Sequence, residues 1–131
     1  MPLKLKTYQC KAPRKKGEGI RIGTVRFLPR GIKKDDYAKM NFFDVWFPSV
    51  APSRQLLSAF KQKGNIKEKW GKFAKLYKNE MTRNAESRQA IKLLAEIARR
   101  IPIAIGCYCE DERFCHRSIL YTLIKKASIA Q

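Results

Sequence analysis

No apolar run in this chain approaches the roughly 20 residues that a membrane-spanning helix needs, and Met1-Pro2-Leu3-Lys4 does not open a signal-peptide core. A membrane partner is therefore not expected, and the cytosol is the expected location. Internal repeats and low-complexity tracts are missing too, which excludes solenoids and leaves one domain over 1–131, long enough to bury a single core without disulfide or metal staples. Helix-turn-helix, zinc-finger and RNA-recognition signatures are absent, so base-specific reading of nucleic acid is not expected. Acids are scarce: 11 Asp and Glu stand against 29 Lys and Arg. Histidine occurs once, as His116, and three of the four cysteines fall between Cys107 and Cys115.

The charge imbalance amounts to +18, and it is clustered. Residues 1–34 carry eleven bases and one acid, residues 53–92 eleven bases and three acids, and the remainder is near neutral. Such a field attracts polyanions, which makes nucleic acid or a nucleotide the expected partner; plain solubility is the competing explanation.

Periodicity predicts an α/β fold, a single compact domain with helices packed against a small sheet. Leu3 to Cys10 alternates like a strand, Lys11 to Gly19 is a basic Pro/Gly loop expected to be mobile, and Ile20 to Leu28 is a second strand with Ile20, Ile22 and Thr24 on one face. Pro29-Arg30-Gly31 turns the chain, and Phe42 to Phe47 is a third strand. Ser53 is the expected N-cap of a helix carrying Leu56, Leu57 and Phe60, with Gly64 as its stop. Trp70, Phe73, Ala74, Tyr77 and Met81 form one apolar helical stripe, flanked by Lys72, Lys75 and Lys78; core packing accounts for the stripe better than base stacking does. Asn84 caps a third helix with Ile91, Leu94, Ala95 and Ala98 inward, Pro102 opens the last strand, and Ser118 to Lys126 is the last helix.

The segment Cys107-Tyr-Cys-Glu-Asp-Glu-Arg-Phe-Cys-His-Arg117 joins that last strand to that last helix. Such turns form the ligand crevice of α/β proteins. If the strand runs through Cys109, Cys107 and Cys109 share a face. Cys109 and Cys115 are candidate nucleophiles, Cys115 because a helix N-terminus beside His116 and Arg117 favours the thiolate, although three neighbouring carboxylates oppose it. His116 is the candidate general acid or base, with Glu110 to orient or share its proton, while a hydrogen-bonded cap or core histidine is the plainer alternative. Arg26, Arg30, Lys33 and Arg117 are candidate anion clamps. No cofactor is expected. A Cys₃His zinc set has the right stoichiometry, but the spacing argues against it, because adjacent Cys115 and His116 diverge by roughly 100° on a helix. Cys107 and Arg113 also match the Cys-x₅-Arg spacing of cysteine phosphatases, but the three carboxylates between them are the wrong lining for a phosphate.

Several blocks in order, Ile20-Arg-Ile-Gly-Thr-Val-Arg-Phe-Leu-Pro-Arg-Gly31, Asp44-Val-Trp-Phe47 with Ala51-Pro-Ser53, Trp70 to Phe73 to Tyr77, and Cys109-Glu110 through Cys115-His-Arg-Ser118, resemble domain-of-unknown-function family 488, the YeaO-like proteins. The resemblance covers about residues 20–125 and implies a compact α/β domain; it assigns no catalytic residue. Three functions remain in order: a small basic protein binding a phosphate-bearing partner; an enzyme on a nucleotide-like or small anionic substrate using the turn at 107–117; and a structural zinc site.

Overall fold

The computed structural model describes residues 3–61 and 66–129. Four strands, β1 (Leu5–Gln9), β2 (Ile20–Gly23), β3 (Val45–Trp46) and β4 (Ile103–Cys107), form one sheet in the order β1-β4-β2-β3 with every pairing parallel. Four helices follow or connect them: α1 (Arg54–Lys61), α2 (Ile66–Arg83), α3 (Ala85–Arg100) and α4 (His116–Ile129). The expected α/β class holds.

β4 lies between β1 and β2, and all five of its residues are buried. A central parallel strand is covered on both faces, which is why Ile-Ala-Ile-Gly-Cys reads as a continuous apolar run instead of alternating. Ile103 and Ile105 join Leu5 and Ile22 in one core cluster with Phe73, Tyr77 and Met81 of α2, Leu94 and Ala98 of α3, and Leu120 and Ile124 of α4. Ala104 belongs to a second cluster, with Tyr8, Cys10, Val25, Phe42, Phe43, Cys107 and Cys115. Gly106 and Gly23 are paired in register, and a Cβ on them would stand 2.2 Å from the Tyr8 ring and 2.3 Å from the Phe43 ring. Their lack of a side chain lets both rings approach the sheet closely.

The helix signals act as read. The Ser53 hydroxyl accepts the Leu56 N–H at 3.1 Å, and Asn84 accepts the N–H groups of Glu86 and Ser87. The stripe on α2 is core: Phe73, Tyr77 and Met81 are buried and Trp70 is partly buried. Gly64, the expected stop of α1, lies outside the described residues.

The strands are shorter than alternation predicts. β2 ends at Gly23 instead of Leu28, and β3 is two residues instead of six. On β2 Ile22 and Thr24 are buried on one face and Arg21 is fully buried on the other, while Ile20 at the strand start is 37 % exposed; a charge buried on that second face needs a physical reason. The reason is an ion pair: Arg21 meets Glu18, itself 4 % exposed, through Nε–Oε1 at 2.5 Å and Nη2–Oε2 at 3.2 Å. Arg21 also donates from Nη1 to the Asn41 carbonyl at 2.8 Å and lies 4.1 Å over the Tyr8 ring. In the basic loop, Arg14 grips Asp44 through two hydrogen bonds of 2.6 and 3.0 Å.

Candidate functional site at the carboxyl ends of the central strands

The chain leaves β2 as Thr24-Val-Arg-Phe27 and leaves β4 as Tyr108 to Cys115, and α1 and α2 close over the gap. The result is a crevice of about 400 Å³ lined by Val25, Arg26, Phe27, Pro52, Leu57, Phe60, Phe73, Cys107, Tyr108, Phe114 and His116. Adjacent strand ends of a parallel sheet are the usual place for such a site. Its walls are mainly aromatic. The Tyr108 hydroxyl donates to the Phe27 carbonyl at 2.9 Å and holds the two strand exits together, and the exposed Arg54 guanidinium stands 5.1 Å over the Phe27 ring. Trp70 stacks on Phe73 with centroids 5.6 Å apart and meets Phe114 edge-on at 6.2 Å. Trp70 also lines a second groove, about 670 Å³, between α2 and α4, with Lys75, Lys78, Lys126, Ser118 and Thr122 and no acid in its lining. One aromatic wall therefore separates the crevice from a basic groove.

His116 is the first residue of α4 and is buried. Its Nε2 lies 2.6 Å from the Thr24 carbonyl, which can only accept, so Nε2 carries the proton and Nδ1 presents a lone pair. Burial holds the imidazole at about 4, against the upward pull of that carbonyl, so the ring is neutral at pH 7. Nδ1 faces the Cys115 Sγ at 3.9 Å, and the Tyr77 ring packs edge-on at 5.3 Å.

The three cysteine sulfurs of the turn lie within 4.8 Å of one another, with Cys107 Sγ to Cys109 Sγ at 3.9 Å. β4 stops at Cys107, yet Cys109 still reaches the same side. Cys115 arrives through a short 3₁₀ turn (Glu112–Phe114) and has extended backbone, φ −131° and ψ 143°. The helical divergence expected for Cys115 and His116 does not arise, because only His116 is helical. All four cysteines of the chain are thiols, and Cys109 alone is exposed. Hydrogen bonds from Cys107 and Cys115 pull Cys109 far down, helped by the Arg117 charge. The same contacts, with burial, push Cys107 up. For Cys115, the Cys107 thiol pulls down but Cys109 and burial prevail, to about 12. Of the three, Cys109 is the thiol whose surroundings favour the thiolate, although the helix start pointed to Cys115.

Arg117 is 3 % exposed; its Nη1 donates to the Cys109 carbonyl at 2.8 Å and its Nε is buried without a hydrogen-bond partner. It adjoins the thiols and is not open to a solvent-borne anion. Arg26 lines the crevice, but its guanidinium is occupied by the carbonyls of Pro52, Pro48 and Ala51 at 2.9 to 3.1 Å, the brace of the loop before α1. Arg30, Lys33 and Glu110 are exposed and do not line the crevice. The acidic loop does not cap α4, whose first turn holds no acid. Asp111 caps the 3₁₀ turn and pairs with Arg113, and Glu112 accepts from the Thr7 hydroxyl. Arg113 is thereby tied to its own loop and forms no phosphate cradle with Cys107. Sequence reasoning missed the crevice walls Phe27, Phe60, Tyr108 and Phe114. Tyr108 and Phe114, the aromatic residues that flank the charged run Glu110–Arg113, were the available signal.

Residues 5–128 match DUF488-N3a, described as the active DUF488-N3 subclade. The chain is 35 % identical over 100 residues to "Uncharacterized protein YeaO" of Escherichia coli (strain K12), covering 74 % of this chain and 78 % of that one. No solved structure matches. No helix among the described residues is long and apolar enough to cross a membrane. The near end-to-end family match, with the Trp70 stripe and the Cys-His-Arg turn in place around one parallel sheet, identifies the chain as a member of the DUF488 family.

Proposed function

We propose that this protein binds nucleic acid or a nucleotide, with a base in the aromatic crevice and phosphates on the lysines outside it. The observation that carries the reading is the shared wall. Trp70, Phe73 and Phe114 stand between a crevice sized for a flat ring and a groove bearing Lys75, Lys78 and Lys126, in a chain of net charge +18. Aromatic platforms beside cationic tracks are how single strands are held without sequence preference, each stacked base contributing about 1–3 kcal/mol. A duplex keeps its bases stacked, so single strands are expected to bind more tightly.

Fluorescence anisotropy of a labelled mixed-sequence oligonucleotide, single- and double-stranded, at two salt concentrations tests this. Affinity should fall steeply with salt, and replacing Lys75, Lys78 and Lys126 by Gln should flatten the single-strand salt slope by about 2, at about 0.7 per phosphate contact. No retention of either oligonucleotide at low salt would end the proposal.

A second reading, chemistry on the bound ligand, is favoured by Cys107 and His116 standing in the crevice wall. Incubation with a nucleotide mixture followed by mass spectrometry distinguishes the two. Product masses formed by the wild type and lost in His116→Gln support an enzyme; an unchanged mixture leaves binding alone.

A further inference from the structure

We propose that Cys107, Cys109 and Cys115 form a three-thiolate site for a soft divalent cation, zinc foremost. Zinc–sulfur bonds of about 2.3 Å in a tetrahedron set sulfurs roughly 3.8 Å apart. Cys107 and Cys109 stand at 3.9 Å and all three sulfurs within 4.8 Å, so no pair is more than about 1 Å wider than a tetrahedral zinc site requires. Thiolate ligands select zinc over magnesium or calcium.

Two further features of the surroundings point to a cation here. First, Arg117 is a buried guanidinium with an unpartnered Nε, and among the described residues it forms no ion pair with a carboxylate. A buried charge in that state calls for an anionic neighbour. Three thiolates around a divalent cation sum to −1 and supply it. Second, His116 donates its Nε2 proton to the Thr24 carbonyl and leaves Nδ1 free, 3.9 Å from the Cys115 Sγ. Anchoring of the remote ring N–H on a backbone carbonyl is the outer arrangement that metal-binding histidines have. Nδ1 stands beside one of the three sulfurs but outside the set that lies within 4.8 Å, so it would take the fourth position only if the ring shifted toward the cluster. When it does not take that position, the crevice opens there, because Cys107 and His116 both line it. Metal binding to three thiols releases their protons and changes no oxidation state.

The inference does not depend on nucleic-acid binding, and its test uses metal alone. The full chain, without a histidine tag, is prepared under a phosphine reductant with zinc, passed over chelating resin and analysed for metal. One zinc per chain is expected, and cobalt in its place should give thiolate-to-metal charge-transfer absorption in the near ultraviolet. Cys109→Ser, at the exposed thiol, removes a ligand and should weaken binding by more than the roughly 10–100-fold that losing an outer partner costs, with a dimmer band. Cys10→Ser, which removes the cysteine outside the cluster, should bind as the wild type does; circular dichroism verifies that both are folded. A cobalt form without the charge-transfer band, or equal affinity in Cys109→Ser and the wild type, overturns the proposal.

Discussion

Glu18→Gln is the sharpest test of how this fold tolerates its own basicity. Arg21 has no exposed surface and Glu18 is 4 % exposed, and two hydrogen bonds of 2.5 and 3.2 Å join them in parallel. The amide keeps the volume and removes the countercharge, leaving a guanidinium that donates to the neutral Asn41 carbonyl and lies over the Tyr8 ring, with the one carboxylate that bonds the Arg21 N–H, Asp44, already paired with Arg14. Breaking a buried pair from one side costs about 3–5 kcal/mol, because the remaining charge is uncompensated. That is a large fraction of the 5–15 kcal/mol typical of a domain, and at about 3–5 °C per kcal/mol it lowers Tm by roughly 10–25 °C. Urea unfolding followed by circular dichroism measures it. The double variant Glu18→Met with Arg21→Met should recover most of the loss, since a hydrophobic pair of similar volume removes both desolvation penalties. A cost below about 1 kcal/mol for Glu18→Gln would refute the reasoning, because it would mean that Arg21 finds water or another anion.

Gly106→Ala should destabilise by about 1–3 kcal/mol or more, read as a Tm drop, because its Cβ would press 2.2 Å from the Tyr8 ring over a fully buried strand. For Asp44, burial pushes the carboxyl up but the bonds from Arg14 and the Arg21 N–H outweigh it, so it sits below the usual carboxylate range. A depressed carboxyl contributes stability that is present above about pH 4 and lost as the pH falls through its folded value; Asp44→Asn should therefore flatten the acid limb of a Tm-against-pH curve. In metal-free reduced protein, iodoacetamide followed by peptide mass spectrometry should label the exposed Cys109 first, with Cys10, which burial pushes up to about 11, labelled much later.

Much of the helical architecture was legible because it rests on local signals. Ser53 and Asn84 cap as their side chains suggest, and the 3.6-residue spacing of Phe73, Tyr77 and Met81 marks the buried face of α2. The strands were legible in place and not in length, since alternation continues past Gly23 while sheet pairing does not. Arg21 was hidden because a buried arginine is announced only by its partner, and Glu18 lies in what composition marks as a solvated loop. The turn at 107–117 was recognisable from its residue types, yet its internal geometry was not. Whether Cys115 is helical or extended decides which sulfurs meet, and that depends on Asp111 capping the 3₁₀ turn ahead of it. Arg26 shows the converse: a strand-end arginine suggests an anion clamp, but three loop carbonyls already occupy it.

The central claim is that a base enters the crevice, and the direct measurement is single-strand oligonucleotide affinity for the wild type against Leu57→Trp. This substitution fills the crevice and alters no charge. One lost stacking contact of about 1–3 kcal/mol predicts roughly 5- to 150-fold weaker binding with an unchanged salt slope. Equal affinity in the folded variant would contradict the account, leaving the lysines to bind phosphate with the crevice uninvolved.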